Sequence, residues 1–542
     1  MQLHSKWSSL FVGLAICSAS VALVACGGGG SDVPIATTPP VTPPTTPPTS
    51  PPTTPPVVQA ATLRGSVNDG ISGAGIAGVT VSAGGQSAVT TDAGDYTLPV
   101  GTGTLVVSFK KAGYAEQTKV NSDLINAGDS SFLNASMLAF AQSTVLTGTA
   151  AQTVTVAGST AAISLPANAL RRADGSAAQG AITVNLTPIN PASNVDTMPG
   201  SLVTLASGSF APIESFGAVN ITITDAAGFE LNLSSGQSAT IRIPAVTRGA
   251  SLPATIPLFY FNTATGQWVQ DGTATLVGSG ATAFFQGTIT RLTTWNADQI
   301  VNTVFINSCV VDASGTAVAG ARVSSEGINY IGSASTVSDA AGNFRIAVKS
   351  NARLALTASA NGQVGTSIGI NTTAVNQTIT ACLSLTQAAV TIKLSWGEQP
   401  RDLDSHIWAP DAAGTAREID FANRGVLGSS PYVNLDVDDT TSFGPEFVTI
   451  ARLAKGATYR YWVRNYSGTF TPGQTGSPAR VELNVRGALR VFTPPAGETS
   501  STRDWHAFDL VVDNNCAVNV VAVNAWATPA APTYSGAPDY CN

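Results

Sequence analysis

Apolar residues in this chain recur at every second position over short stretches, and turn-forming residues break the stretches apart. Val79-Thr80-Val81 and Tyr96-Thr97-Leu98 are typical, each placing one face toward a core and one toward solvent. Ala, Leu, Glu and Lys at helical spacing are missing, while Gly, Thr, Ser, Ala and Val are abundant. β-branched residues suit a pleated surface, so the pattern predicts an all-β chain. At 542 residues a single core is not expected, which makes the prediction a multi-domain string of β-sandwiches.

One pattern occurs twice. GAGIAGVTVS at 73–82 aligns with GTAVAGARVS at 315–324, and TTDAGDYTLPV at 90–100 with VSDAAGNFRIAV at 337–348. Each copy runs strand, Gly-containing turn, strand, then Asp-Ala-(Ala)-Gly before another alternating strand. Asp caps such a turn and Gly supplies its positive φ.

The first 25 residues break the β pattern. One Lys precedes an apolar run of about 15 residues, too short for a comfortable membrane span and typical of a secretory signal. It ends in Leu23-Val24-Ala25-Cys26-Gly27. This resembles the lipobox of bacterial lipoproteins, which implies that Cys26 carries lipid and becomes the first mature residue. The residue after Cys26 is Gly, not the Asp of inner-membrane retention, so the expected address is the outer membrane, on its periplasmic face or at the cell surface. Segment 26–58 is Gly-rich, then Pro/Thr-rich, and reads as a spacer. Roughly 20 residues of polyproline II would reach on the order of 60 Å.

Composition narrows the partners. Net charge is −7 and only 11% of residues are charged, so there is no basic stripe to neutralise a phosphate backbone, and nucleic acid is excluded as an expected partner. Of six cysteines, Cys17 leaves with the signal and Cys26 takes the lipid, leaving Cys309, Cys382, Cys516 and Cys541. An even number in an exported chain predicts disulfides. Three pairings are possible; Cys309–Cys382 and Cys516–Cys541 are favoured because each brackets one segment.

The repeated segments, roughly 59–140 and 303–385, resemble the carboxypeptidase regulatory-like domain, a transthyretin-like sandwich. The second copy lacks the K-x-G-Y end found at 111–114 in the first. In that family the domain is accessory and not catalytic. Between the copies lie ISLPANALRRADGSAAQGAITVNLTPINP, then DTMPGSL, ESFGAVNITITDAAGFELNL and IPLFYFNTATGQWVQDG. Their order resembles a β-sandwich region of cartilage intermediate layer protein, with 262–266 as a hairpin turn and Trp268 as a core anchor. The expected divisions are therefore 59–140, 141–302, 303–386 and 387–542.

The last division holds the clearest chemistry. W-x-x-x-P-x-D-L-D-x-H at 396–406, L-D-x-D at 435–438 and G-P-E at 444–446 together resemble the YfaP-type domain of unknown function. On a strand, Asp402, Asp404 and His406 share a face, while Leu403, Ser405 and Ile407 take the other. Asp436, Asp438 and Asp439 crowd a nearby turn, and Glu446 follows the Gly-Pro bend. Clustered carboxylates repel unless something neutralises them. Two readings stand side by side: an oxygen-rich metal site of those six acids, with Ca²⁺ as its cofactor, or aspartates that cap turns. Trp408, Tyr461 and Trp462 are candidates for a binding platform, each weighed against a place in the core.

The mature chain keeps two of the three histidines, His406 and His506. HExxH, GxSxG, the P-loop and the dinucleotide fingerprint are all missing, so no catalytic residue is expected. The expected function is a lipid-anchored protein displaying β-sandwich modules to a glycan or protein ligand. The alternative is a structural envelope component or accessory subunit. A hydrolase using the C-terminal carboxylates comes third.

Overall fold

The computed structural model describes residues 60–541 except 207, 362, 366 and 387–389. The signal segment, Cys26 and the Pro/Thr-rich spacer lie outside the described residues. The described chain is almost entirely strand, with two 3₁₀ turns and one four-residue helix as exceptions. No helix among the described residues is long and apolar enough to cross a membrane.

Each sandwich has its own apolar core. The first gathers Leu63, Val67, Val81, Tyr96, Leu98 and Phe109, where the Tyr96 hydroxyl donates to the Leu133 carbonyl at 2.7 Å. The second is built on Val184, Leu186, Ile221, Ile241, Phe285 and Trp295. In it, strands Thr255–Asn262 and Gln267–Val277 form a hairpin, and the Asn262 side chain accepts from the Ala264 N–H inside the turn. Trp268, directly after that turn, is buried edge-on against Phe261. The third core holds Val304, Ile306, Val323, Phe344, Leu354 and Leu383.

The duplicated turn is built alike in both copies. Gly94 has φ +83° and Gly342 +77°, and each receives a backbone N–H, from Val67 and Val310 respectively, at 2.8 Å. A Cβ on either glycine would fall 2.4 Å from the Val67 carbonyl oxygen or 2.7 Å from that of Val310. Both the conformation and the close approach require Gly there.

Both expected cysteine pairs are bonded, Cys309 to Cys382 and Cys516 to Cys541.

The fourth sandwich faces a six-stranded sheet against a five-stranded one. The first includes Val390–Ser395, Val433–Val437 and Glu446–Ile450; the second includes Leu403–Pro410, Thr458–Asn465 and Asp504–Val512. Trp396, Tyr459, Tyr461, Trp505 and Phe508 fill the space between them.

Contacts between sandwiches are not confined to neighbours in sequence. Arg480 of the fourth donates to the Gly70 carbonyl of the first at 2.9 Å, and Arg490 pairs with Asp95 at 3.1 Å. Lys393 of the fourth reaches Glu326 of the third at 2.6 Å and Asp196 of the second at 3.4 Å. Burial alone would lower the Lys393 pKa, but Glu326, Asp196 and Glu482 outweigh it and hold the ammonium charged.

One buried acid in the second sandwich has no such partner. Asp298 is fully buried, and among the described residues neither of its carboxyl oxygens has a hydrogen-bond partner. Burial, and then the nearby Glu214 charge, push its pKa well above the usual carboxylate range. A raised acid stabilises the fold fully below its unfolded pKa, about 3.9, and that contribution is lost as pH rises through the folded value. Asp298→Asn should therefore flatten the fall in melting temperature between pH 5 and pH 8, raising it at the alkaline end. Parallel pH series by calorimetry would show this; identical slopes would mean that Asp298 is ionised and solvated.

Candidate metal centre

The acidic residues gather at one end of the fourth sandwich, where strand Leu403–Pro410 of one sheet begins beside strand Glu446–Ile450 of the other. Leu403, Ile407 and Ala409 point into the core, which turns Asp404, His406 and Trp408 to the opposite face. Glu446 is set by the bend before it. Ser442, Phe443 and Gly444 all have positive φ, at 92°, 69° and 70°. Two backbone bonds clamp that bend: Phe443 N–H to the Gly397 carbonyl at 3.0 Å, and Trp396 N–H to the Phe443 carbonyl at 3.1 Å. A Cβ at 444 would lie 2.7 Å from the Trp396 ring, so Gly is required. Strained conformations of this kind persist only where surrounding structure over-determines them.

A carboxylate oxygen from each of Asp404, Asp438 and Glu446 lies within 4.8 Å of the other two. Asp404 is 3% exposed and Glu446 0%. Glu446 accepts the Ser405 N–H at 2.8 Å and the Asp439 N–H at 3.3 Å. Asp438 accepts from Arg424 at 2.6 Å, and Asp439 from Arg353 at 3.1 Å and from the Thr441 hydroxyl at 2.7 Å. Four oxygens are left over: Asp402 Oδ1, Asp404 Oδ2, Asp438 Oδ1 and Asp439 Oδ2 are buried without a hydrogen-bond partner among the described residues.

The electrostatics follow from that shortage. Burial, with help from Asp438 and Asp439, pushes the Asp402 carboxyl up to about 6. Burial, then Asp402 and Asp438, carry Asp404 up to about 8. Glu446, buried beside Asp404 and Asp438, lies well above its usual range. Burying charges of one sign is costly unless protons or a cation neutralise them. Two arginines bond directly to the five carboxylates, which leaves three of them without a cationic hydrogen-bond partner among the described residues. Hard oxygen donors in that number fit Ca²⁺, with water completing six to eight ligands.

The sixth predicted ligand is elsewhere. Asp436 accepts from the Thr449 hydroxyl at 2.9 Å and from the Ser367 backbone, and burial pushes it up to about 7. Asp436 sits at a register irregularity between Leu435 and Val437.

His406 shares that face with Asp404 but pairs with other acids. Its Nδ1 is 2.8 Å from Glu418 and 3.9 Å from Asp420, and its ring stacks on Trp462 with centroids 5.0 Å apart. Glu418 and Asp420 were not predicted. The signal was available in the turn at 411–415, closed by Asp411, which folds strand Ala416–Ile419 back so that Glu418 lies opposite Trp408.

The expected aromatic platform is corrected by burial. Tyr461 is 0% exposed, stacks on Phe508 at 5.1 Å, and shares a hydrogen bond with Ser405. Trp462 is 1% exposed between His406 and Trp408. Neither can offer a ring face to a ligand. Trp408 is half-buried, and its indole N–H donates to the Pro529 carbonyl at 3.1 Å.

No protein-family model matches the chain, and no curated protein does. Among solved structures it is similar to the TIE protein of Bacillus anthracis, at 12% identity and TM-score 0.14, over 60% of this chain and 51% of that one. The chain thus spans about half the length of that protein. It is also similar to the major pilin subunit BcpA of Bacillus cereus, at 12% identity and TM-score 0.13, over 60% of this chain and 99% of that one. A streptococcal ancillary pilin follows at 8% identity and TM-score 0.14, over 40% and 84%.

Proposed function

We propose that this chain is a lipid-tethered, non-catalytic display protein whose C-terminal sandwich is organised around a calcium ion and engages a glycan or protein ligand. Asp404, Asp438 and Glu446 would hold the ion, with Asp402 at the rim. One observation carries the reading: Asp404 Oδ2 is buried beside two further carboxylates without a hydrogen-bond partner among the described residues. A turn-capping aspartate spends its oxygens on loop N–H groups, as Asp411 does at 2.9 and 2.8 Å. Asp404 does not. Tethering through Cys26, sorting to the outer membrane and display on the Pro/Thr-rich spacer rest on the sequence. Packing of the sandwiches against one another supports the second reading, a structural envelope component.

Titration calorimetry of the full chain with calcium tests the site. One ion per chain is expected at a Kd of about 0.1–1 mM, the range of extracellular sites, and Asp404→Asn should abolish the heat. Equal heats from both proteins would remove the cation from the proposal.

A further inference from the structure

We infer that cation binding at this site is coupled to docking of the third sandwich against the fourth, through the segment 436–446 that serves both. The inference rests on the cation reading above.

Residues along that segment alternate between two jobs. Asp438 and Glu446 face the proposed ion, within 4.8 Å of Asp404. Asp436, Val437 and Asp439 face the third sandwich instead. Asp436 is held by the Ser367 backbone, and Asp439 by Arg353 at 3.1 Å. Val437 and Phe447 form a small apolar cluster with Ile328 and Ala355. A Cβ at Gly369 would already come within 3.3 Å of the Val437 side chain.

The two faces are tied within the segment itself. Asp439 donates its backbone N–H to Glu446 at 3.3 Å while its side chain holds Arg353. If the carboxylates are drawn onto an ion, the backbone that presents Asp436, Val437 and Asp439 is fixed as well. Docking, in turn, pre-sets the carboxylates before the ion arrives. Such coupling is reciprocal: whatever factor calcium contributes to docking, docking contributes to calcium affinity. A cavity of about 240 Å³ lined by Arg353, Gly369, Arg424, Asp436 and Asp438 lies along this seam.

Hydrogen exchange on the full chain, with calcium or with a chelator, reads the coupling directly. The strand Arg353–Ala360 supplies no proposed ligand to the ion. Calcium should nonetheless slow its exchange by about fivefold to tenfold, in the usual range of coupling between sites. Glu446→Gln should erase the effect. Gly369→Phe, an uncharged wedge against Val437, should weaken calcium binding by a similar factor, measured by calorimetry. Calcium binding with unchanged exchange in Arg353–Ala360, and unchanged affinity in Gly369→Phe, would overturn the coupling and leave the cation site standing. Absence of calcium binding in the unaltered chain would overturn both.

Discussion

Calcium at 100-fold excess over its Kd should stabilise the fourth sandwich by about 2.7 kcal/mol. For a unit of its size that is a rise of roughly 5–10 °C in its thermal transition. Scanning calorimetry of the full chain, with magnesium and a chelator as controls, would show whether one transition moves alone. Glu446→Gln is the most informative variant. Its amide keeps the shape of the side chain and an oxygen that can accept the Ser405 N–H. It removes a buried charge that Asp404 and Asp438 already disfavour. The amide nitrogen then faces the Asp439 N–H, which loses its acceptor. Removal of the like charge offsets that loss, so without calcium this variant should stay close to the unaltered chain in stability, and it should lose the calcium response. The turn-capping reading predicts a different pair of results: loss of stability on substitution, and no calcium response in either protein.

What could be read from the sequence depended on how local the information was. Period-two alternation and Asp-Gly turns are short-range, so the all-β class and the form of the repeated turn followed from a few adjacent residues. The exposed-or-buried fate of Tyr461 and Trp462 did not. Both lie in a strand whose two faces are covered, Tyr461 by the opposing sheet and Trp462 by His406 and Trp408. Alternation says which residues share a face; it cannot say that the second face is also covered. Asp436 was assigned to one turn with Asp438 and Asp439, whereas it bonds the Thr449 hydroxyl beside a register irregularity that adjacent residues do not reveal. The contact of Arg480 with Gly70 joins residues 410 positions apart and leaves no mark on either stretch of sequence. Asp404 and Glu446 were found because clustered acids beside a Gly-Pro bend are unusual in so sparsely charged a chain. The arginines that bond Asp438 and Asp439, the second of them on another sandwich, were not predicted.

The larger expected effect is on the third sandwich. Replacing Cys309 and Cys382 together by Ser should destabilise it by about 4 kcal/mol, since the bridge closes a loop of 73 residues and restricts the unfolded chain accordingly. That loop is nearly the whole sandwich. Cys309 lies in strand Thr303–Val311, and Cys382 directly precedes strand Leu383–Thr386, which pairs in parallel with it through Val310 and Leu383. Without the bridge, the first and last strands are still joined by a short ladder and by core contacts such as Leu383 with its neighbours. The second bridge should matter less, because its 25-residue loop restricts the unfolded chain by roughly 1 kcal/mol less in the same chain-entropy account. Its removal frees the tail that follows strand Val518–Trp526, where Cys541 is buried in the fourth core. Calorimetry of the two double-serine variants separates these cases. A third-sandwich transition that falls by many degrees in the first variant, with a smaller change in the fourth in the second, is the expected pattern. Equal, small shifts in both would show that the apolar cores alone hold these sandwiches together. The third sandwich also carries Arg353 and Ser367, which meet the acidic segment, so its loss should weaken calcium binding in the fourth even with every proposed ligand intact.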